Sequence, residues 1–218
     1  MDEKQVIVEL KRGSHLCSIY RDKDEQLSVI IPFLKGGLRR NERCIYIVDE
    51  NTKEDISRIL QGGGYDLEKG LARTGQLQFF TKEDSYLKDG NFDPDKVINL
   101  LKLAQEDALE NGYDGLRVTG EMTWVLTRLP GTEKLIEYES KLNYFLPSSS
   151  TSALCQYNEK KHSEAILAGV LLTHPKVVLY GKVYDNPYYS HPDVFLAKKD
   201  AKVEQTYRSL KEKILLGG

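Results

Sequence analysis

Short apolar runs alternate with longer segments of helical spacing along the whole chain. This alternation is typical of a mostly parallel sheet with helices packed on its faces. Most of the short runs are continuously apolar, as expected of strands that are buried on both sides. We predict six strands, at 15–20, 44–49, 76–81, 115–120, 152–157 and 177–184.

The segments between these strands carry apolar residues on one helical face. Thr52 and Asp55 form a helix cap, and a glycine run that starts at Gly62 ends the same helix. Asp93 and Pro94 open the next helix. We predict helices at 23–40, from Thr52 to Gly62, from Pro94 to about 111, from near Pro130 to before Pro147, and at about 162–173.

The C-terminal segment has a different pattern. Val203, Tyr207, Leu210 and Ile214 step by four, three and four residues through a charged background, which makes a short heptad stripe. A helix with such a stripe must cover it, either by docking on its own domain or by pairing with a second copy. A homodimer through residues 197–216 is therefore one of two predicted arrangements.

Region 185–196 shows little periodicity and contains prolines, so we interpret it as a linker. We accordingly divide the chain into a globular domain, residues 1–190, and a linker followed by an amphipathic helix, residues 191–218.

Composition narrows the class of protein. The chain has 218 residues, of which 40% are hydrophobic and 29% charged, so it can bury one sizeable core. Its formal net charge is -2 and the basic residues are mixed with acidic ones, which argues against a nucleic-acid-binding face. No apolar stretch approaches the roughly 20 residues of a membrane span, and no signal peptide is evident. We expect a cytoplasmic protein without membrane or direct nucleic-acid partners.

The cysteines are Cys17, Cys44 and Cys155, an odd and widely spaced set without a CxxC pair. This spacing argues against a disulfide framework and against a structural zinc site. We expect reduced thiols, and the sequence predicts no cofactor.

The run from Gly36 to Glu50, GGLRRNERCIYIVDE, resembles the helix-to-strand junction of RecA-like ATPases of the circadian-clock type. An active member would carry GxxxxGK[ST] before that helix, because backbone N–H groups and a lysine hold the phosphates. The matching turn, residues 20–26, reads YRDKDEQ, with no glycine and three acidic side chains. We therefore predict that the chain does not hydrolyse ATP and is not an enzyme.

Several further motifs occur in a fixed order. They are GSHLCSIY at 13–20, GLRVTGEMTW at 115–124, LCQY at 154–157, THP at 173–175 and NPYY at 186–189. Together they resemble the MEDS domain (methanogen/methylotroph, DcmR sensory domain), a RecA-like relative without a Walker A loop, over about 13–190. The resemblance implies a three-layer α/β fold with a C-terminal amphipathic helix.

The same resemblance implies a non-catalytic sensory function. Such a domain is expected to bind a small hydrocarbon derivative, namely an alcohol, an aldehyde or a methylated compound. It is expected to relay that signal to an output domain, a histidine kinase or a transcription regulator. The alternatives are a degenerate RecA-like ATPase, a metal- or thiol-based sensor, and a purely structural dimerisation module.

A ligand crevice in such a sheet is expected outside the carboxyl ends of the strands. Glu121 and Trp124 follow the fourth predicted strand there, and Tyr20 ends the first. Arg117 precedes Glu121 by two residues, so both lie on one face of the strand. Arg117 and Glu121 form either a buried ion pair or, through Glu121, the polar anchor of a pocket with Trp124 as its wall.

His15 and Cys17 share one face of the first strand, as do Cys155 and Tyr157 on the fifth. His174 follows the fifth predicted helix. We assign all five to the ligand site, with His15, Cys17 and Cys155 as candidate metal ligands. The alternative is a buried thiol beside a hydrogen-bonded ring.

If the first, fourth and fifth strands are adjacent, His15, Cys17, Cys155 and His174 are expected to converge with Glu121. Glu139 and Asn143 lie one turn apart on the fourth helix, and we interpret them as a brace between helix and sheet.

Overall fold

The computed structural model describes residues 3–64, 75–197 and 207–217. A seven-stranded sheet forms its centre, with the strand order β3-β2-β4-β5-β1-β6-β7. All neighbouring strands are parallel except β6 and β7, which are antiparallel. The strands are β1 (His15–Tyr20), β2 (Glu42–Val48), β3 (Leu77–Thr81), β4 (Gly115–Glu121), β5 (Thr151–Asn158), β6 (Lys176–Leu179) and β7 (Lys182–Asp185).

Helices cover both faces of this sheet. Those in the described ranges are α1 (Glu3–Val8), α2 (Lys23–Arg39), α3 (Lys53–Gly62), α4 (Pro94–Glu110), α5 (Leu135–Phe145), α6 (Glu164–Thr173), α7 (Pro192–Ala197) and α8 (Tyr207–Gly217). The caps proposed from the sequence are present, because Thr52 accepts from the Asp55 N–H and Asp93 accepts from the Asp95 N–H.

The strand residues divide by parity between two hydrophobic cores. Ile45 and Ile47 of β2 face the core built with α4, α5, α6 and α8. Cys44 and Tyr46 face the core built with α1, α2 and α3. The fold is therefore the three-layer α/β arrangement that the alternating pattern predicted.

The sixth predicted strand, 177–184, is wrong as a single strand. It is a hairpin in which β6 and β7 are joined by Tyr180 and Gly181. These two residues have φ values of 53 and 79, as in the type I′ turn that suits the twist of a hairpin. Gly181 followed by Lys182 interrupts the apolar run and was the available signal of this reversal.

The region interpreted as a linker packs against the domain and contains the helix α7. The side chain of Asn186 donates hydrogen bonds to the carbonyl oxygens of Leu171 and His174. Tyr144 of α5 donates to Asp193 of α7 at 2.5 Å. The short helix α1 was also not predicted from the sequence.

The apolar stripe of the C-terminal helix lies on its own domain. Tyr207, Leu210 and Ile214 are buried in the same core as Cys17 and Tyr157. The fourth stripe residue, Val203, lies outside the described residues. The described part of the stripe, which was the argument for a homodimer, is thus covered by the chain itself.

Candidate functional site

Four polar side chains meet beneath α5 and α6. They are His15 at the start of β1, Glu139 of α5, Cys155 of β5 and His174 directly after α6. All four are buried, and one ligand atom from each lies within 4.8 Å of the others. We refer to this set as the His–Glu–Cys cluster.

Parallel pairing of β1 with β5 brings the cluster together. His15 lies opposite Ala153 and Cys17 opposite Cys155, so the side chains of His15 and Cys155 point to the same face. His174 is followed by Pro175 and then by β6, the other neighbour of β1. Helix α5 crosses this face and places Glu139 above the strands.

Glu139 is the centre of the cluster. Its Oε2 lies 3.2 Å from His15 Nε2, 3.3 Å from His174 Nε2 and 3.4 Å from Cys155 Sγ. Its Oε1 accepts a hydrogen bond from the hydroxyl of Tyr157. The hydroxyl of Tyr157 therefore holds one carboxylate oxygen of Glu139, and the other oxygen faces the two imidazoles and the thiol.

Hydrogen bonds on the far side of each ring fix the orientation of the two imidazoles. His15 Nδ1 lies 3.0 Å from Asn143 Oδ1, and the Asn143 amide donates to the carbonyl oxygens of Glu139 and Thr173. The amide oxygen of Asn143 thus faces His15 and can only accept. His174 Nδ1 lies 2.8 Å from the carbonyl oxygen of Val170, which also only accepts. Both rings consequently carry a proton on Nδ1, assigned from this network.

Burial and the nearby charges set the ionisation of the cluster. Burial, followed by the charge on His174, lowers the pKa of His15. Burial opposes the charged form of Glu139, but the two imidazoles outweigh it and hold the Glu139 pKa well below its usual value. Burial and the Glu139 charge raise the pKa of the Cys155 thiol well above its usual value. A buried thiol with a raised pKa does not suit a sensor that relies on a reactive thiolate.

A group of four aromatic rings in mutual contact lies in the same core as the cluster. Tyr86 stacks on Trp124 at a centroid distance of 4.8 Å, and Phe92 contacts Trp124 at 4.7 Å and Tyr138 at 5.5 Å. A side chain at Gly120 would overlap the Tyr86 hydroxyl, so the absence of a Cβ there lets this ring reach the sheet. Tyr86, Phe92, Trp124 and Tyr138 form what we call the aromatic group.

Among the side-chain atoms on this side of the sheet that are buried without a hydrogen-bond partner in the described residues are Trp124 Nε1 and His174 Nε2. His174 Nε2 is close to Glu139 Oε2, but its geometry does not make a hydrogen bond. Buried polar atoms are normally satisfied, so both atoms are candidates for contact with a bound species.

The structure separates the residues assigned from the sequence into two groups. His15, Cys155, Tyr157 and His174 come together around Glu139. Cys17 points to the same face but packs in the apolar core and is not one of the four ligand residues. Trp124 lies in the aromatic group.

The remaining three, Tyr20, Arg117 and Glu121, belong to the opposite face of the sheet. Glu121 accepts hydrogen bonds from Tyr46 at 2.8 Å and from the Asn51 side chain at 2.9 Å. The prediction that Glu121 converges with His15 is therefore wrong, because the sheet lies between them. Burial and then the Glu121 charge raise the pKa of Tyr20, which places Tyr20 near this second network.

The predicted ion pair between Arg117 and Glu121 is also wrong. Arg117 Nε donates to Glu42 at 2.6 Å, and its Nη1 donates to the carbonyl oxygen of Phe33 at 3.0 Å. Glu42 starts β2, the strand beside β4, and it lies nearer to the guanidinium than Glu121 at the far end of β4.

The expected location of the site needs a correction as well. His15 is the first residue of β1 and Cys155 lies near the middle of β5, so the cluster is not at the carboxyl ends of the strands. Glu139, interpreted as a brace, is in fact the central residue. A carboxylate within the apolar stripe of α5 was the available signal, since a buried charge needs a partner.

The turn that would hold a phosphate in a RecA-like ATPase is closed by its own side chains. Asp22 caps α2 by accepting the Glu25 N–H at 3.0 Å, and Glu25 pairs with Arg21. One of the N–H groups that an anion would use at this helix start, that of Glu25, is already engaged.

Comparison with known proteins decides the family. Residues 14–175 match the family described as MEDS, methanogen/methylotroph, DcmR sensory domain. The chain belongs to the MEDS family. Membership in this family of sensory domains gives the chain a sensory role.

One curated relative of the MEDS domain is the transcriptional repressor DcmR of Methylorubrum extorquens. It is 26% identical over 170 residues, which cover 76% of this chain and 60% of the repressor. The chain thus corresponds to about 60% of the length of that relative.

A solved structure similar to the MEDS domain is the KaiC-like protein of Pyrococcus horikoshii. The TM-score is 0.51 at 18% identity, over 76% of this chain and 70% of the other. This likeness shows the KaiC-like, RecA-type fold. Among the described ranges, no helix has the length and apolarity that crossing a bilayer requires.

Proposed function

We propose that this MEDS domain binds a small hydrocarbon derivative beside the His–Glu–Cys cluster and relays its presence to a regulatory output. The observation that carries the proposal is the pairing of the cluster with the aromatic group in one buried region. Apolar walls with a few converging polar atoms are the usual composition of a small-molecule site. An alcohol, an aldehyde or a methylated compound has matching chemistry.

Trp124 supports the polar half of this recognition. Its Nε1 is a donor without a partner among the described residues, so a ligand oxygen can accept from it. The rings of Tyr86 and Phe92, which contact Trp124, would enclose the hydrocarbon part.

Tyr86 also offers a route of entry. It lines a surface depression of about 260 Å³ together with Val97 and Leu100. The residues around it, 82–92, form turns and not regular secondary structure. We infer that a small ligand enters when this segment and the Tyr86 ring move outward, since turn segments open more easily than strands.

Strand β5 connects the site to the C-terminal helix. Cys155 and Tyr157 point to the cluster face, and Glu159, two residues further, accepts from Tyr207 and Lys211 of α8, each at 2.6 Å. A ligand that shifts β5 would therefore alter the docking of α8. For this to act as a signal, the ligand must bind one arrangement of α8 more tightly than the other.

The output of this relay is proposed to be transcriptional regulation, as in the repressor DcmR, or a histidine kinase. We also propose that the domain is not an enzyme. The closed turn at Asp22 and Glu25 supports that proposal, because Asp22 occupies the Glu25 N–H and places a carboxylate where a phosphate would bind.

The chain has a single tryptophan, so Trp124 fluorescence reports on the proposed site alone. We expect a saturable fluorescence change with at least one of ethanol, acetaldehyde and methylamine, and none with ATP and magnesium. In parallel, hydrogen exchange of residues 207–217 should change at a saturating concentration of the same compound.

The outcomes separate the parts of the proposal. A flat titration with all three compounds would contradict the ligand class. A saturable signal with unchanged exchange in α8 would contradict the relay, and a saturable response to ATP would overturn the non-enzymatic interpretation.

A further inference from the structure

The His–Glu–Cys cluster gathers three ligand atoms around one carboxylate oxygen. With the Nδ1 atoms of His15 and His174 facing fixed acceptors, both Nε2 atoms point at Oε2 of Glu139. A buried carboxylate that faces two ring nitrogens needs a positive charge between them, which either a proton or a metal ion supplies.

The distances from Glu139 Oε2 to the other three ligand atoms match the edges of a coordination tetrahedron. A tetrahedral ion with bonds of about 2.0–2.1 Å to nitrogen and oxygen and about 2.3 Å to sulfur has ligand atoms roughly 3.3–3.6 Å apart. The separations from Glu139 Oε2 to the other three ligand atoms are 3.2, 3.3 and 3.4 Å. Cys155 Sγ and His15 Nε2 are 3.8 Å apart.

We propose that His15, Glu139, Cys155 and His174 bind one divalent transition-metal ion, with zinc as the best match. Two imidazoles, one thiolate and one carboxylate suit zinc and related ions, and they do not suit magnesium or calcium, which take oxygen ligands. This site lies beyond the proposed sensory function, because metal binding does not depend on what the domain senses.

Charge balance supports the same assignment. A divalent ion with one thiolate and one carboxylate is neutral overall, which allows the site to be fully buried. Among the described residues, no lysine or arginine forms an ion pair with Glu139, so the histidines alone face its charge. Binding would displace the thiol proton of Cys155, as coordination of a cysteine requires.

The residues behind the ligands are those that a metal site needs. Each imidazole donates its other N–H to a fixed acceptor, Asn143 Oδ1 for His15 and the Val170 carbonyl for His174. Tyr157 holds the second carboxylate oxygen of Glu139. His174 Nε2 is buried and has no hydrogen-bond partner among the described residues, which coordination would supply.

The sequence argument against a structural zinc site considered ligands paired at short spacing. Neighbouring ligands in this set are at least 16 residues apart along the chain, so no short spacing motif marks them. Cys17, proposed as a ligand from the sequence, is replaced by Glu139 and His174.

The first test measures metal in the full chain purified without chelators. We expect close to one zinc ion per chain, and X-ray absorption should show one sulfur at about 2.3 Å with three nitrogen or oxygen neighbours at about 2.0–2.1 Å. A shell without sulfur, or a metal-free protein that takes up no zinc on dialysis, would overturn the proposal.

The second test uses cobalt as a spectroscopic probe. The wild type loaded with Co²⁺ should show tetrahedral d–d bands and a thiolate charge-transfer band. The charge-transfer band should disappear in Cys155→Ser and remain in Cys17→Ser, its neighbour on the same face. Retention of the band in Cys155→Ser, or its loss in Cys17→Ser with the fold intact by circular dichroism, would contradict the assignment.

A third variant tests the supporting hydrogen bond. Asn143→Leu should weaken zinc binding by about 10–100-fold, the usual effect of removing the partner of a ligating histidine. Unchanged zinc affinity would contradict the role of Asn143 in orienting His15. None of these tests uses an organic ligand, so their failure is distinguishable from failure of the sensory proposal.

Discussion

Arg117 shows how much a single buried charge depends on its partner. Its guanidinium is fully buried, pairs with Glu42 at 2.6 Å and lies 5.0 Å from the ring of Phe33. Removal of one member of a buried pair leaves the other charge uncompensated, which is much more costly than loss of an exposed pair.

Glu42→Gln should therefore lower the free energy of unfolding by about 3–5 kcal/mol, measured by urea denaturation. The matched control is Asp185→Asn, which removes a carboxylate paired with Lys176 on the surface. The control should cost less than about 1 kcal/mol. If both substitutions lower the free energy of unfolding by the same amount, the buried ion pair contributes no more to stability than the exposed one.

Residue-level partners were the hardest part to predict from the sequence. Burial of Arg117 in an ion pair was anticipated, but its partner was wrong, because Glu42 is distant in sequence and only strand order brings it near. His15 and Cys155 lie close together because strand periodicity turns both side chains to one face and β1 pairs with β5, and only the first of these can be read from the sequence. Glu139 was missed as a site residue because helix packing, not spacing, sets its contacts.

At the scale of elements, α2 lies unusually close to its neighbours at Gly36. A Cβ on Gly36 would overlap the carbonyl oxygen of Val8 in α1 and crowd the guanidinium of Arg117. The backbone of α1 cannot move aside as a flexible side chain can. Gly36 thus permits the contact between α1 and α2.

Gly36→Ala should lower the free energy of unfolding by about 1–3 kcal/mol, the usual cost of overpacking, although alanine is the better helix former. Gly62→Ala in α3 is the control, because no atom lies within 4 Å of a Cβ at that position. It should be neutral or stabilising by up to about 1 kcal/mol. If thermal or urea denaturation gives the two variants equal stability, the close approach of α1 to α2 does not exclude a side chain at Gly36.

Most elements were predictable because periodicity is a local property. The five strands from β1 to β5 and the helices α2 to α6 lie within a few residues of their predicted positions. The hairpin of β6 and β7 was missed because the reversal at Tyr180 and Gly181 depends on backbone conformation and not on apolar pattern. The helices α1 and α7 have six residues each, too few for periodicity to be read.

At the scale of the whole molecule, hydrogen bonds to Glu159 hold the C-terminal helix α8 against the sheet. Glu159 follows β5 and accepts from Tyr207 and Lys211 of α8. Burial opposes its ionisation, but the hydrogen bonds from Lys211 and Tyr207 outweigh burial and lower the Glu159 pKa. Tyr180 and Arg21 also lie close to this carboxylate.

This lowered pKa gives a pH dependence of defined sign. The stabilisation from ionised Glu159 is fully present above the unfolded-state pKa of about 4.3 and is lost as the pH falls through the lower folded-state pKa. The stability difference between wild type and Glu159→Gln should therefore be largest near neutral pH and shrink below about pH 4.

Urea denaturation at a series of pH values measures that difference. Glu110→Gln, at the exposed end of α4, controls for the general loss of a negative charge. If the stability difference between wild type and Glu159→Gln instead grows on acidification, ionised Glu159 does not stabilise the docking of α8.

The short connection between β1 and α2 limits how this fold can change. Tyr20 ends the strand and Lys23 begins the helix, so only two residues separate them. A triphosphate needs a longer loop that wraps around it, and point substitution to glycine and lysine cannot supply that length. Engineering nucleotide recognition into this protein would require inserting residues and rebuilding the start of α2, where Gln26 donates to Gln156 of β5. The length of the connection between β1 and α2, more than its composition, therefore prevents single substitutions from creating a nucleotide site.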